Sequence, residues 1–275
     1  MNTISSSSNP LGRATDYPEA YNPTLLFPLA RSLNREQLTG PYWQAGADIW
    51  NAYEISWLNP KGKPQVALAR FTVPHNSPKL IESKSLKLYL NSLSEERYAD
   101  TAEVRALMED DLSEVAGAKV IVELTLVRDH DAVLCQPLSG TLIDDLDITI
   151  TTWEPAPDRL RCLPEAAIIS ETLTSELLKS NCPVTGQPDW GSVQVSYTGP
   201  QIDPASLLEY IVSLRRHTEF HEHCVEKMYC DIWQACQPSA LLVYARYTRR
   251  GGLDINPWRS SDTRSFVSQD RGLRQ

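Results

Sequence analysis

The stretch KSNCPVTGQPDWGSVQVSY, residues 179–197, decides the fold of this chain. Apolar Val193, Val195 and Tyr197 alternate with polar residues, which predicts a half-buried antiparallel strand over Ser192–Tyr197. Two prolines and two glycines precede this strand, so the chain enters it through a short and conformationally restricted loop.

The same loop carries a cysteine and a carboxylate. Because Cys182 precedes a proline, its backbone is biased away from the helical region, and Pro188 restricts the approach to Asp189. A thiolate is a strong nucleophile and a carboxyl group is a proton donor, so the pair can run covalent chemistry. The alternative is structural, since a lone cysteine is usually a small buried hydrophobe and an Asp before a strand is usually a turn former.

Two helices are predicted after this strand. Asp203-Pro204 is typical of a helix start, because Asp caps the helix and Pro suits its first position. The inner faces of the two helices are marked by apolar periodicity at Leu207, Ile211 and Leu214, then at His221, Val225, Met228 and Ile232.

The chain then returns to strands. Leu241–Tyr247 is predicted as a strand and Leu253–Trp258 as its partner. The tail after Arg259 is polar and is predicted to be loosely held.

The upstream half shows the same order of elements. Residues 1–45 are irregular and are predicted to form an extended arm. The elements predicted after the arm are strands Tyr53–Leu58 and Gln65–Val73, helices Lys79–Leu93 and Glu103–Ala116, and strands Lys119–Val127 and Leu142–Thr151. Because strands, then two helices, then two strands occur in both halves, the similar order suggests a tandem duplication of α+β modules at 46–155 and 156–275.

Composition limits the classes of function. The chain has 275 residues, 41% of them hydrophobic and 22% charged, which is typical of a soluble globular protein. Its net charge of −9 argues against nucleic-acid binding, which relies on Lys and Arg to neutralise phosphates. No window has the apolar length of a membrane span, and the Ser- and Asn-rich start lacks the pattern of a secretory signal. The 6 cysteines include no Cys-x-x-Cys pair, so we expect a mainly reduced, cytoplasmic protein.

Three further clusters carry reactive or charged groups, and the first begins a predicted helix. The two oxygens of Glu82 can grip a planar N–H edge such as that of a purine, while Lys84 and Lys87 can meet phosphates. The alternative is the solvated face of an amphipathic helix.

The second cluster is His221-Glu222-His223-Cys224, which contains the residue types of zinc ligands. Positions two apart on a helix face different directions, so His221 and His223 do not easily share a metal. His221 and Glu222 can equally line a pocket, the first as an acid or base and the second as a purine anchor. The remaining alternative is a satisfied core histidine.

The third cluster is Arg249-Arg250-Gly251-Gly252. Two glycines let the backbone approach a phosphate while the guanidinium groups bind it, although an exposed turn between strands is the alternative. The chain has no Gly-x-Gly-x-x-Gly after a strand and no Walker loop, so a dinucleotide has to bind outside a Rossmann fold.

Taken together, these clusters resemble the QueF family of NADPH-dependent 7-cyano-7-deazaguanine reductases, in its long, two-module form. The segments that carry the resemblance are Glu82–Tyr89, Ser180–Cys182 with Asp189–Ser192, Phe220–Glu222, and Tyr247–Pro257. Four segments in the right order are far more specific than any one of them alone, and the resemblance covers nearly the whole chain.

The resemblance implies the tandem tunnelling fold, in which ββααββ modules bring antiparallel sheets together into a barrel on assembly. It also implies a homodimer, with the reductase signature in the first module and the cysteine in the second. The implied substrate is a small 7-deazapurine and the implied cofactor is NADPH, with no direct contact to nucleic acid or membrane and no metal.

The implied reaction is the four-electron reduction of a nitrile to a primary amine with two NADPH, within queuosine biosynthesis. Cys182 forms a covalent thioimide, Asp189 supplies a proton and His221 assists. The substrate contacts implied by the resemblance are Ile81, Glu82, Ser83, His221 and Glu222. The implied NADPH contacts are Ser83, Lys84, Arg250 and Gly251.

Other hypotheses remain open at the level of sequence. Cys224 lies close to Glu222 along the chain and can pair with Cys182 under oxidative stress, which would shield the nucleophile. The rival functions are a metal-dependent cyclohydrolase of the same fold, a purine-binding protein without catalysis, and a cysteine hydrolase of nitriles or amides.

Overall fold

The computed structural model describes residues 20–40, 42–129 and 135–275, so the first 19 residues of the predicted arm lie outside the described part. It is an α+β structure of two compact units. Unit 1 comprises the described residues of Met1–Ser32, Trp50–Asp131 and Gly251–Leu253. Unit 2 comprises those of Leu33–Ile49, Ala132–Arg250 and Asp254–Gln275.

The elements follow in chain order. The helices are α1 (Ser32–Arg35), α2 (Ser83–Ser92), α3 (Thr101–Ala116), α4 (Pro204–Ser213) and α5 (His221–Cys236). The strands are β1 (Pro28–Ala30), β2 (Ala45–Leu58), β3 (Pro64–Pro74), β4 (Lys79–Ile81), β5 (Ile121–Leu126), β6 (Thr141–Leu142), β7 (Ile168–Asn181), β8 (Pro188–Pro200), β9 (Ala240–Tyr247) and β10 (Leu253–Ser260).

In unit 1 the strands lie in the order β5, β3, β2, while β1 and β4 form a separate pair. The turn between β2 and β3 is closed by Asn59, whose side chain accepts hydrogen bonds from the N–H groups of Lys61 and Lys63, both at 3.0 Å. This is the hairpin that the Pro- and Gly-containing loop predicts. Helix α2 begins at Ser83 rather than at the predicted Lys79, because Lys79–Ile81 is held in a strand by β1.

In unit 2 the strands lie in the order β10, β9, β8, β7, β6. The predicted strand Ser192–Tyr197 is confirmed as the middle of β8, where Val193, Val195 and Tyr197 are buried. Strand β8 pairs with β7 on one side and with β9 on the other, antiparallel in both cases.

The helices of unit 2 cover the apolar face of this sheet. Asp203 caps α4 by accepting a hydrogen bond from the Ala205 N–H at 3.0 Å, and Pro204 is the first helical residue, as predicted. Val225, Met228 and Ile232 of α5 are fully buried in the same core, which confirms their predicted inner face.

A buried ionic cluster also stabilises unit 2. The guanidinium of Arg259 is fully buried, with Nη2 lying 2.8 Å from Asp48 Oδ1 and 2.7 Å from Glu226 Oε1. Arg35 Nη2 approaches Glu226 Oε1 at 2.7 Å, so this carboxylate of α5 serves two cations.

Two predictions in unit 2 are wrong. The predicted strand Leu142–Thr151 is a strand only at Thr141–Leu142, because the chain turns through a hydrogen bond from the Leu146 N–H to the Ile143 oxygen. Its alternating isoleucines reflect the packing of an irregular segment, since Ile143, Ile148 and Ile150 lie against the core.

The tail after Arg259 is also held more firmly than predicted. Gln275 Nε2 donates to the Tyr247 oxygen at 3.1 Å, and Arg274 Nη2 donates to the Gly191 oxygen at 2.9 Å. The tail has no periodic pattern of apolar residues, but its polar side chains donate hydrogen bonds to carbonyl oxygens of β8 and β9. None of the helices in the described ranges is long and apolar enough to cross a lipid bilayer.

Candidate active site

The loop between β7 and β8 is a compact turn. The Cys182 N–H donates to the Gln187 oxygen at 2.9 Å, and the Gly186 N–H donates to the Cys182 oxygen at 3.0 Å. Gly186 has a φ of 68°, which a residue with a side chain adopts only with strain. These bonds hold the backbone of Cys182 in one conformation.

The Cys182 thiol is buried, with 9% of the residue exposed. Burial raises its pKa, but hydrogen bonds from the Thr185 hydroxyl, from the N–H groups of Thr185 and Val184, and from Arg250 lower it by more. The pKa of Cys182 is therefore lower than that of an ordinary thiol, and a larger fraction of it is thiolate at neutral pH.

Asp189 is the first carboxylate after the turn and is also buried, with 6% of the residue exposed. Its Oδ1 lies 3.3 Å from Arg250 Nη2 and 3.6 Å from His221 Nε2. Because Arg250 also donates to Cys182, this one guanidinium joins the thiol and the carboxylate. The structure thus brings together all three predicted catalytic residues with Arg250.

The imidazole of His221 is positioned by its packing against the ring of Tyr247. His221 is the first residue of α5, and its ring lies edge-on to the ring of Tyr247, with centroids 4.1 Å apart. A Cβ on Gly191 would lie 3.2 Å from Tyr247 Cδ1, so glycine lets the tyrosine ring pack here without a shift of a few tenths of an ångström. Burial and the neighbouring Cys224 raise the pKa of Tyr247 well above its usual range, so its hydroxyl stays neutral.

The other residues at the start of α5 have separate partners. Glu222 is buried in the first turn, where the helix dipole favours a negative charge. His223 lies against Asn34, with Nδ1 2.5 Å from the Asn34 amide nitrogen and 3.4 Å from Glu219 Oε1. His221 and His223 thus face different partners, as their spacing predicts, and the described residues contain no cluster of three His, Cys, Asp or Glu side chains that could hold a metal.

Cys224 is a free and fully buried thiol, as Cys182 is a free thiol. Burial raises the pKa of Cys224 to about 11, so it is protonated at neutral pH. A disulfide between the two cysteines stays a prediction.

Unit 1 holds the other predicted residues. Ile81 ends β4, and Glu82 caps α2 by accepting hydrogen bonds from the N–H groups of Lys84 at 2.8 Å and Ser85 at 2.7 Å. Burial raises the pKa of Glu82, although these two bonds oppose the shift. Ser83 lies at the first position of α2, with its hydroxyl 3.5 Å from Glu82 Oε1.

Gly251 and Gly252 follow in unit 1, with φ values of 61° and 80°. A Cβ on Gly251 would lie 3.0 Å from Nζ of Lys87, so a side chain at this position would have to displace the end of that lysine. A lysine against a glycine backbone suits an anionic group, which is what the sequence predicts for the Arg-Arg-Gly-Gly segment.

Sequence reasoning missed two parts of this site. Thr185 is absent from the predicted site, although a threonine three residues after a cysteine in a tight turn is a recognisable donor. Tyr247 was predicted only as a strand residue, because no sequence pattern predicts its contact with His221. Arg250 was predicted as a phosphate ligand, whereas its observed partners are Cys182 and Asp189.

Comparison with known proteins gives matches over most of the chain. Residues 17–124 match the family described as nitrile reductase, 7-cyano-7-deazaguanine-reductase N-term, and residues 188–265 match that described as QueF-like protein. A Bordetella avium protein named NADPH-dependent 7-cyano-7-deazaguanine reductase is 55% identical, over 98% of this chain and 99% of that protein. A protein of the same name from Albidiferax ferrireducens is 52% identical, over 100% of this chain and 100% of that protein. Another from an Azoarcus species is also 52% identical, over 98% of this chain and 96% of that protein.

A solved structure was also matched, the archaeosine synthase QueF-Like in the apo form. It is 17% identical, covers 36% of this chain and 95% of its own, and has a TM-score of 0.29. A score this low does not establish a shared fold.

Proposed function

Because this chain belongs to the family of NADPH-dependent 7-cyano-7-deazaguanine reductases, we propose that it reduces the nitrile of 7-cyano-7-deazaguanine to the aminomethyl group. The observation that carries the mechanism is the Cys182 thiol, whose pKa is lowered by the turn that holds it and by Arg250. A thiolate is the form that adds to a nitrile carbon, so this turn supports nucleophilic catalysis.

The first step joins Cys182 to the substrate. The thiolate sulfur adds to the nitrile carbon, and the nitrile nitrogen takes a proton, which gives a thioimide. Asp189 lies beside Arg250 and His221 and is the carboxylate of this loop, so we assign it the proton that Cys182 releases, which it then donates to the nitrogen.

The later steps reuse the same residues. NADPH, when bound, supplies one hydride to the thioimide carbon and a second to the imine carbon. Between the two, the sulfur leaves as thiolate, and the donors that lower the pKa of Cys182 stabilise it as a leaving group. His221 lies 3.6 Å from Asp189. It can therefore reprotonate Asp189 after this residue has given a proton to the substrate nitrogen.

Binding of the substrate ring is assigned to carboxylates. Glu222 is our candidate for the anchor of the N–H donors of the deazaguanine ring, since it is buried beside His221. Ile81, Glu82 and Ser83 of unit 1 are assigned as further substrate contacts by family analogy. Each oxygen of Glu82 accepts one backbone N–H and has a second lone pair for a ring N–H.

The cofactor contacts are assigned to Ser83, Lys84, Arg250 and Gly251. The approach of Lys87 to the bare backbone of Gly251 fits an anionic phosphate. An acidic protein has to concentrate cations locally to hold NADPH, and lysines of α2 do this.

The wider assignments rest on the family. We propose the tunnelling fold for both modules, a homodimer as the working assembly, and entry of the product into tRNA queuosine biosynthesis. The element order β7, β8, α4, α5, β9, β10 supports a ββααββ module in unit 2.

The test is NADPH oxidation on addition of 7-cyano-7-deazaguanine. We expect two NADPH consumed per nitrile by the native chain, and none by Cys182→Ala. Cys224→Ala is the matched control, because it removes a buried thiol that the mechanism does not use. Release of ammonia without NADPH consumption would instead favour a nitrile hydrolase, and no turnover by folded native protein would contradict the proposal.

A further inference from the structure

Three residues beside the catalytic turn form a surface that the mechanism does not use. Trp190 directly follows Asp189 on β8 and is 42% exposed. Its register partner on β7 is Lys179, and the guanidinium of Arg215 lies over its ring at 5.4 Å. We call Lys179, Trp190 and Arg215 the Trp190 platform.

The two cations of the platform have only neutral partners for hydrogen bonds. Lys179 Nζ donates to Asn181 Oδ1 and to the backbone oxygen of Arg215, both at 2.6 Å. Neither Lys179 nor Arg215 has a carboxylate within 4.0 Å among the residues that the structure describes.

A second arginine–tryptophan pair provides the contrast. The adjacent Arg216 lies over Trp153 at 5.8 Å, and Trp153 is 45% exposed. Arg216 Nη1 also lies 3.7 Å from Glu154 Oε1, so that pair is neutralised. The two pairs match in residue type and exposure and differ in the carboxylate, which the platform lacks.

The electrostatics of the platform also favour an anion. Burial and the nearby Arg215 lower the pKa of Lys179, while Asp189 opposes the shift. An anion placed between Lys179 and Arg215 would remove the repulsion between them. The exposed face of an indole is in addition a surface on which a nucleobase stacks.

We propose that the Trp190 platform binds the adenosine 2′-phosphate end of NADPH, with the phosphate between Lys179 and Arg215 and the adenine against Trp190. This inference rests on the proposed reaction, in which the deazaguanine substrate is uncharged and NADPH carries the phosphates. Alternate residues of a strand face opposite sides, so the platform lies on the side of β8 opposite to the Asp189 carboxylate. Trp190 nevertheless directly follows Asp189 along β8, so the platform adjoins the catalytic loop.

The test compares Arg215→Gln with Arg216→Gln. The Arg215 substitution leaves its backbone oxygen in place for Lys179, so the local fold is kept. We expect Arg215→Gln to raise KM for NADPH about tenfold, as loss of a charge-assisted hydrogen bond implies, and to leave kcat and KM for NADH nearly unchanged. Arg216→Gln should leave all of these constants unchanged.

Calorimetric titration with adenosine 2′,5′-bisphosphate gives a readout independent of turnover. We expect the probe to bind native protein and Arg216→Gln equally, and to bind Arg215→Gln and Lys179→Gln about tenfold more weakly. Equal binding by all four proteins, or no binding by the native chain, would overturn the platform assignment. If NADPH is oxidised normally by Arg215→Gln with an unchanged KM, the reaction stands and only the platform is wrong.

Discussion

At the scale of single residues, the reactivity of Cys182 depends on donors from its own turn. Thr185 contributes both its hydroxyl and its N–H to the thiolate, and only the hydroxyl can be removed by substitution. Arg250, which follows the end of β9, adds a positive charge beside the thiol. It also lies 3.3 Å from Asp189. The nucleophile and its proton partner therefore contact one shared cation.

This arrangement predicts the pH dependence of Cys182 alkylation. The lowered pKa means that thiolate persists below the usual value of 9.0 for a thiol, so the rate with iodoacetamide should fall only at a lower pH. Thr185→Val removes the hydroxyl donor at nearly constant volume and should move the inflection up towards that value. Mass spectrometry of the peptide that contains Cys182 measures the rate apart from that of exposed Cys135.

Thr185→Ser is the control, because it keeps the hydroxyl and should keep the native inflection. An unchanged inflection in Thr185→Val would show that the backbone N–H groups and Arg250 are sufficient to lower the pKa of Cys182.

At the scale of elements, β8, β9 and α5 meet at Gly191, where an added side chain would make close contacts. Gly191 of β8 faces Tyr247 of β9, and Tyr247 contacts His221 of α5. A Cβ on Gly191 would also lie 3.1 Å from the Arg246 oxygen, so it would separate the two strands as well as move the ring.

Gly191→Ala should therefore lower kcat through His221 and cost about 1–3 kcal/mol of unfolding free energy, as overpacking does. KM for NADPH should change little. Gly272→Ala is the control, because it lies outside the catalytic turn and its added Cβ would make only ordinary van der Waals contacts, the nearest at 3.4 Å. Urea denaturation and steady-state kinetics on both variants measure the difference, and equal kcat values would contradict the role of the Tyr247 contact.

Sequence patterns predict some elements of unit 2 and not others. Strand β8 and helices α4 and α5 were predicted because alternation, a cap and a 3.6-residue period are local signals. Strand β7 was not, since its register shifts between Ser175 and Leu178 and the alternation is broken there. Without β7 the pairing of Ser180 with Asp189 could not be anticipated, although Cys182 and Asp189 themselves were identified from the loop.

At the scale of the whole molecule, the buried ionic cluster of unit 2 makes folding depend on pH. Burial raises the pKa of Glu226, but Arg259 and Arg35 lower it by more, to about 2. A carboxyl group whose folded pKa is depressed stabilises the fold fully above its unfolded pKa of 4.5 and loses that contribution as the pH falls through about 2. Acid should therefore weaken unit 2 through this residue.

Glu226→Gln tests this in urea denaturation at a series of pH values. At pH 7 the variant should be less stable by about 3–5 kcal/mol, since breaking a buried ion pair leaves Arg259 without part of its compensation. Between pH 4.5 and pH 2 the native protein should lose stability steeply, whereas the variant should show a smaller slope because the titrating group is gone. Asp158→Asn is the control, because this exposed carboxylate of unit 2 lies 3.9 Å from its neighbour Arg159 and is not part of the buried cluster, so its loss should leave the slope unchanged. Parallel slopes for native protein and Glu226→Gln would place the acid sensitivity elsewhere in the chain.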